Sequence, residues 1–213
     1  MKTMKHYFPI LLLLAGVGFT STSEAALYQR LGGLAVYDSD FNITWLADAN
    51  ANGLMTWQTA KDWATGLNVG GYTGWRLPTT LQPDPSCYIQ SGGYSVGYNC
   101  TGSELGHLFY IEGGLTQGQS ITSSAYLAQF FTNMQNLFYY WSGTDYAPDP
   151  RHAWDFNTGI GSQFIASKVN NIYAWAVRSG DVGGGGSVPE PGVIGLMGIG
   201  ALAWAGTRQK RRG

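Results

Sequence analysis

Charge is scarce in this sequence: Asp, Glu, Lys and Arg together make up 12% of its residues. Histidine is nearly missing, with 3 in 213 residues, and cysteine is limited to Cys87 and Cys100. Each shortage excludes something. With no basic run between Ala26 and Val182, the chain lacks the electrostatic footprint of a nucleic-acid binder. Two cysteines without flanking histidines leave a zinc set incomplete. No Asp-rich loop of the EF-hand type offers calcium its six to eight oxygens. A phosphate loop, a dinucleotide fingerprint and a nucleophile elbow are all missing.

What is present is concentrated at the two ends and in an aromatic, glycine-rich middle. Lys2 and Lys5 precede an apolar run from Ile10 to Val17, and Ser23 and Ala25 are small residues placed for cleavage before Ala26. That pattern predicts a signal peptide over residues 1–25, removed by signal peptidase, because the run falls short of the roughly 18 residues that span a bilayer. At the other end, a glycine linker over 183–188 leads to Val188, Pro189, Glu190 and Pro191. A short apolar helix is expected over 192–207, followed by Arg208, Lys210, Arg211 and Arg212. A basic cluster after an apolar segment stays on the cytoplasmic side and halts export.

The tail over 189–213 resembles the PEP-CTERM sorting signal in its motif, its glycine-rich hydrophobic stretch and its basic end. The resemblance implies recognition by a membrane exosortase, anchorage in the membrane before processing, and release to the cell surface or extracellular matrix. Between the ends, residues 26–182 suffice for one domain. Six basic against eleven acidic side chains give this part a net charge of −5, against −1 for the whole chain. An exported compartment makes a Cys87–Cys100 disulfide the expected state.

The middle reads as α+β. A helix is expected from Thr56 through Trp57, Ala60, Ala64 and Leu67, and a second from Ser103 through Leu105, Leu108, Phe109 and Glu112, with a third near Tyr126 to Asn136. Strands are expected at Ala35–Asp38, Ile43–Ala47, Phe138–Ser142, Ala153–Asn157, Gln163–Ala166 and Ile172–Arg178, with a hairpin turn at Asn157-Thr158-Gly159. Helices first and an antiparallel sheet later make an α+β domain.

Trp75-Arg76-Leu77-Pro78-Thr79, Ser103-Glu104-Leu105, Tyr140-Trp141-Ser142-Gly143-Thr144, Ala153-Trp154 and Tyr173-Ala174-Trp175-Ala176-Val177-Arg178 follow one another in that order. As a set they resemble the bacterial family typified by the C-terminal domain of the Lcl collagen-like adhesins. The resemblance implies a C-type-lectin-like fold and a glycan-binding or adhesive role, with exopolysaccharide as a partner.

Individual residues carry narrower expectations. Trp141, Trp154 and Trp175 are expected in the core, since tryptophan buries a large area. The loop tyrosines Tyr88, Tyr94, Tyr98 and Tyr146 are the candidates for glycan contact. Arg76 and Arg178 are expected to fix loops by charge-assisted hydrogen bonds. Gln82-Pro83-Asp84 matches a lectin calcium tripeptide in the wrong place in the chain, so no metal is assigned; Asp38, Asp40, Asp145 and Asp149 are the remaining oxygen donors for calcium. Glu104 and His107, three residues apart, share a helix face, and Glu104 with Glu112 is the one carboxylate pair to weigh for glycoside hydrolysis. Neither comes with a complete catalytic set. The chain is therefore expected to be non-catalytic and without cofactor, with a self-associating coat protein as the alternative and a secreted hydrolase as a distant one.

Overall fold

Short β-branched and aromatic runs broken by glycine, asparagine and proline can form only short strands, and such strands need several partners to bury a face. The computed structural model describes residues 26–137 and 139–183. The expected signal peptide over 1–25, Phe138, the sorting motif, the 192–207 segment and the basic cluster lie outside the described residues. The described part is mostly sheet with a few short helices, an α+β-like arrangement.

Four strands form one antiparallel sheet in the order β1-β2-β3-β11: Leu27–Arg30, Ala35–Asp38, Ile43–Leu46 and Val177–Ser179. A second sheet of five runs β4-β10-β7-β8-β9: Leu54–Met55, Ile172–Tyr173, Tyr139–Asp145, His152–Asn157 and Ser162–Ser167. A hairpin of β5, Ile89–Ser91, and β6, Tyr94–Val96, forms its own sheet inside the disulfide loop and is joined to β9 by backbone hydrogen bonds between Gly97 and Gln163. The single strand expected over Ile172–Arg178 is thus two strands in two sheets. Tyr173 pairs with Tyr140 in one sheet and Val177 with Trp45 in the other. Ala174, Trp175 and Ala176 cross between them and are buried.

Trp175 sits at that crossing. Its ring meets Trp45 at 5.2 Å, Phe131 at 4.9 Å and Tyr140 at 5.6 Å, and its indole N–H donates to the Leu46 carbonyl at 2.7 Å. Trp141 and Trp154 are also buried. Trp141 stands opposite Asp155, so Trp154 points to the other face of the sheet.

Helix α1, Trp57–Gly66, packs Trp57, Ala60 and Ala64 inward, and the Trp57 indole N–H donates to the Ser142 carbonyl at 2.8 Å. The second expected helix is shorter and changes pitch. Helix α2 covers Glu104–His107, and Leu108–Glu112 continues as one π-helical turn, closed by the Gly113 N–H on the Leu108 carbonyl at 2.9 Å. Gly106 lets α2 approach closely: a Cβ there would fall 1.8 Å from the Cys100 carbonyl oxygen. The third expected helix is reduced to the 3-10 turn Leu127–Gln129, because Phe130 and Phe131 turn to pack rather than continue it. The turn after β8 is longer than expected, with the Gly161 N–H returning to the Asn157 carbonyl at 2.8 Å and Gly161 at φ +80°.

Cys87 and Cys100 form the disulfide across a separation of 13 residues. Its loop holds only the small β5–β6 sheet, so chain-entropy loss in the unfolded state supplies much of its order. Replacing both cysteines by serine is expected to destabilise the protein by about 3 kcal/mol. Urea denaturation of the serine variant against the disulfide-bonded chain checks this, and an unchanged midpoint would refute it.

Candidate functional site

The β8 strand carries one charged residue among apolar ones, in the run Ala153-Trp154-Asp155-Phe156. Asp155 lies between Trp141 on β7 and Phe164 on β9 in the sheet register, so all three share a face. The upper part of that face is covered: the Trp141 indole N–H reaches the Met55 carbonyl at 2.9 Å. Below it the face opens into a cleft of about 730 Å³, lined by Tyr139, His152, Asp155, Phe164, Asn170 and Asn171 among others. Asn170 and Asn171 come from the segment that joins β9 to β10 on the far side of β7.

Two rings flank the floor of this cleft. Tyr139 is 37% exposed and Phe164 44%, while Asp155 between their strands is 2% exposed. Strands two apart in a sheet are separated by roughly 10 Å. The rings therefore stand as walls rather than as a stacked pair. The Asp155 Oδ1 has no hydrogen-bond partner within the protein. Burial pushes its pKa up to about 7, because the charged form loses its hydration and gains no cation in return. At the rim, His152 Nδ1 lies 3.0 Å from Asp149 Oδ2, and the Arg151 guanidinium holds the Asp149 carboxyl well below the usual range.

Among the described residues no lysine or arginine lines the cleft. Lys168, close in sequence, is turned toward Asp145 and the Pro150 carbonyl. Aromatic walls, two side-chain amides and a carboxyl that burial keeps protonated up to about pH 7 can take a neutral, hydroxyl-rich ligand, stacking its C–H faces and meeting its hydroxyls. Glycoside hydrolysis needs two carboxyl groups about 5–9.5 Å apart, and among the described residues Asp155 is the one carboxylate lining this cleft.

The expected tyrosines lie elsewhere. Tyr94 and Tyr146 come together, 5.4 Å between ring centres, and cover Trp154 at 6.5 and 5.6 Å on the opposite face of the sheet. Tyr88 and Tyr98 are joined through their backbones at 2.9 Å beside the disulfide. Tyr88 is exposed and Tyr98 half-buried. The sequence reading missed Tyr139, Phe164 and Asp155, although a lone carboxylate in an apolar strand was a usable signal.

The other candidate residues are placed as follows. Arg76 grips Glu104 with both terminal nitrogens, at 2.8 and 2.7 Å, and Glu104 also accepts the Thr79 N–H at 2.7 Å. The Trp75-Arg76-Leu77-Pro78-Thr79 segment is thereby tied to α2. Glu104 is thus engaged with Arg76, whereas His107 lies near Glu112. Arg178 donates to the Thr73 carbonyl at 3.2 Å and lies over Tyr72. Asp84 of the Gln82-Pro83-Asp84 tripeptide is saturated by Ser86 and the Gly102 N–H, and the Gln82 side chain is spent on the Ser95 backbone, so this tripeptide does not fit calcium. Asp145 pairs with Lys168 and Asp149 with Arg151, whereas Asp38 and Asp40 lie together at the β2–β3 turn. The four are two separate groups rather than one calcium site.

Residues 187–212 match the model of the PEP-CTERM protein-sorting motif. No curated protein matches the chain. Among the described residues no helix is long and apolar enough to cross a membrane.

Proposed function

We propose that this chain is an exported, exosortase-sorted protein whose 26–182 domain is a non-catalytic module binding neutral polysaccharide in the β7–β9 cleft. The sorting-motif match at 187–212 suggests export and exosortase processing near Pro189-Glu190-Pro191. It implies removal of the 1–25 signal, transient anchorage through 192–207, and a final place at the cell surface or in the extracellular matrix. The observation that carries the glycan reading is the pairing of exposed Tyr139 and Phe164 around a buried Asp155 whose pKa is raised to about 7, with no lysine or arginine among the described lining residues. The net charge of −5 over 26–182 favours a neutral ligand over an acidic or sulfated one. A C-type-lectin-like fold is part of the same reading. It rests on the ordered set of sequence motifs from Trp75 to Arg178.

Affinity electrophoresis of the purified chain through neutral and acidic polysaccharides tests this. The unmodified chain is expected to be retarded by a neutral polysaccharide. Phe164→Ala and Tyr139→Ala are each expected to weaken retention roughly 10-fold, about 1.4 kcal/mol, as for the few anchoring contacts that carry most of a binding energy. Retention that survives both substitutions, or none for the unmodified chain, would reject the cleft as a glycan site.

A further inference from the structure

A second cluster of polar side chains lies away from the cleft, where the β2–β3 turn meets the π-helical turn. Asp38, His107 and Glu112 are all buried, and one ligating atom from each lies within 4.8 Å of the others. Asp40 stands at the edge, its side chain 28% exposed. Asp38 uses Oδ1 to accept the Asp40 and Phe41 N–H groups at 3.0 and 3.2 Å, which leaves Oδ2 facing the cluster. His107 Nε2 and both Glu112 oxygens have no hydrogen-bond partner within the protein, and Asp38 Oδ2 has none at hydrogen-bond distance, although the buried Trp45 indole N–H lies close enough to act on the Asp38 carboxyl.

Four unpartnered polar atoms in one buried place would be costly if the place had no further occupant. Among the described residues no lysine or arginine pairs with Asp38 or Glu112. His107 Nε2 is 3.7 Å from Glu112 Oε1 and 3.7 Å from Asp40 Oδ2. That is too long for a hydrogen bond. Two tetrahedral ligand atoms at about 2.0–2.2 Å from a shared ion stand about 3.3–3.6 Å apart, so a contraction of a few tenths of an ångström would close these atoms on one.

The local backbone explains the convergence. His107 and Glu112 are five residues apart, a spacing that points away from a common face in an α-helix at 3.6 residues per turn. The π-helical turn, with its i→i+5 hydrogen bond, brings residues five apart into line. Such turns occur often at functional sites. Phe41 then covers the imidazole at 4.4 Å between ring centres.

We propose that Asp38, His107 and Glu112, with Asp40 at the mouth, bind one divalent transition-metal ion of the zinc type. Two buried carboxylates neutralise the ion, and an imidazole among the donors favours zinc-like ions over calcium, which takes oxygens. The ion would tie the β2–β3 turn to the π-helical turn. This site is independent of the glycan cleft.

The test uses the full-length chain, stripped with EDTA and reloaded with ZnCl2, MnCl2 or CaCl2. One Zn²⁺ per chain is expected by elemental analysis, held more tightly than Ca²⁺. At a free-ion concentration of about 100 Kd, Zn²⁺ is expected to raise the melting temperature by about 5–10 °C. The near-isosteric Asp38→Asn/Glu112→Gln double variant is expected to lose affinity by more than the about 10–100-fold that an outer-shell partner contributes. X-ray absorption of the zinc-loaded unmodified chain needs no variant and is expected to show imidazole nitrogen at about 2.0–2.1 Å. Equal zinc content in both chains, no melting shift, or a zinc shell without imidazole would overturn the proposal.

Discussion

Asp155→Asn is expected to stabilise the protein at pH 8 by about 4 kcal/mol and to have little effect near pH 3. The folded protein holds this carboxyl at a pKa of about 7 by burial, whereas the unfolded chain holds it near 3.9. The sign follows from proton counting. Between about pH 4 and pH 7 the folded state keeps a proton that the unfolded state has released, so rising pH favours unfolding by about 1.4 kcal/mol per pH unit. The stabilisation linked to this proton is complete below the unfolded pKa and is lost as pH rises through the folded one. Asparagine carries no charge at any pH and removes that slope. Urea denaturation of both chains across pH 3 to 8 measures it. A difference between them that does not change with pH would show that Asp155 ionises as freely in the folded state as in the unfolded one. Retaining a destabilising carboxyl on the floor of an open cleft is what a binding site, rather than a structural core, would do.

Trp175→Ala is expected to cost about 3–5 kcal/mol, the range for removing a large aromatic from a core. The side chain is fully buried against Trp45, Phe131 and Tyr140, and its loss also strands the Leu46 carbonyl. A domain with about 5–15 kcal/mol of total stability would be brought close to unfolding. Trp175→Phe keeps most of the ring contact and is expected to fall well short of that loss. Val169→Ala, at an exposed site, serves as the surface control and is expected within about 0.5 kcal/mol of the unmodified chain. The decisive measurement is the urea midpoint followed by near-ultraviolet circular dichroism. If Trp175→Ala shifts it no more than the surface control does, Trp175 does not join the two sheets energetically.

What could be read in the sequence was what local order determines. Helix α1 repeats its apolar residues at helical spacing, and the β2–β3 and β8–β9 hairpins alternate strand and turn residues within a few positions. The sorting tail is a linear signal that needs no fold to be recognised. The α+β character and the disulfide followed from the same local evidence and from the compartment. What escaped was set by pairing at a distance. Nothing within Tyr173-Ala174-Trp175-Ala176-Val177 says that its two ends belong to different sheets, because their partners, Tyr140 and Trp45, lie far away in the chain. The cleft escaped for the same reason, since Tyr139, Asp155 and Phe164 meet only through strand register. His107 and Glu112 were set apart by helical arithmetic, and the π-helical turn cancels it.

The last strand has a mechanical meaning. Val177 exchanges hydrogen bonds with Arg76, at 2.7 and 2.8 Å, while β11 also pairs with β3, so the strand is held on both sides. Just beyond it Asp181 is clasped by Arg30 at 2.7 and 2.9 Å, which fastens the end of the domain to its beginning. Tension arriving from a tethered tail would therefore meet a clamped strand and a closed buckle before it reached the second sheet.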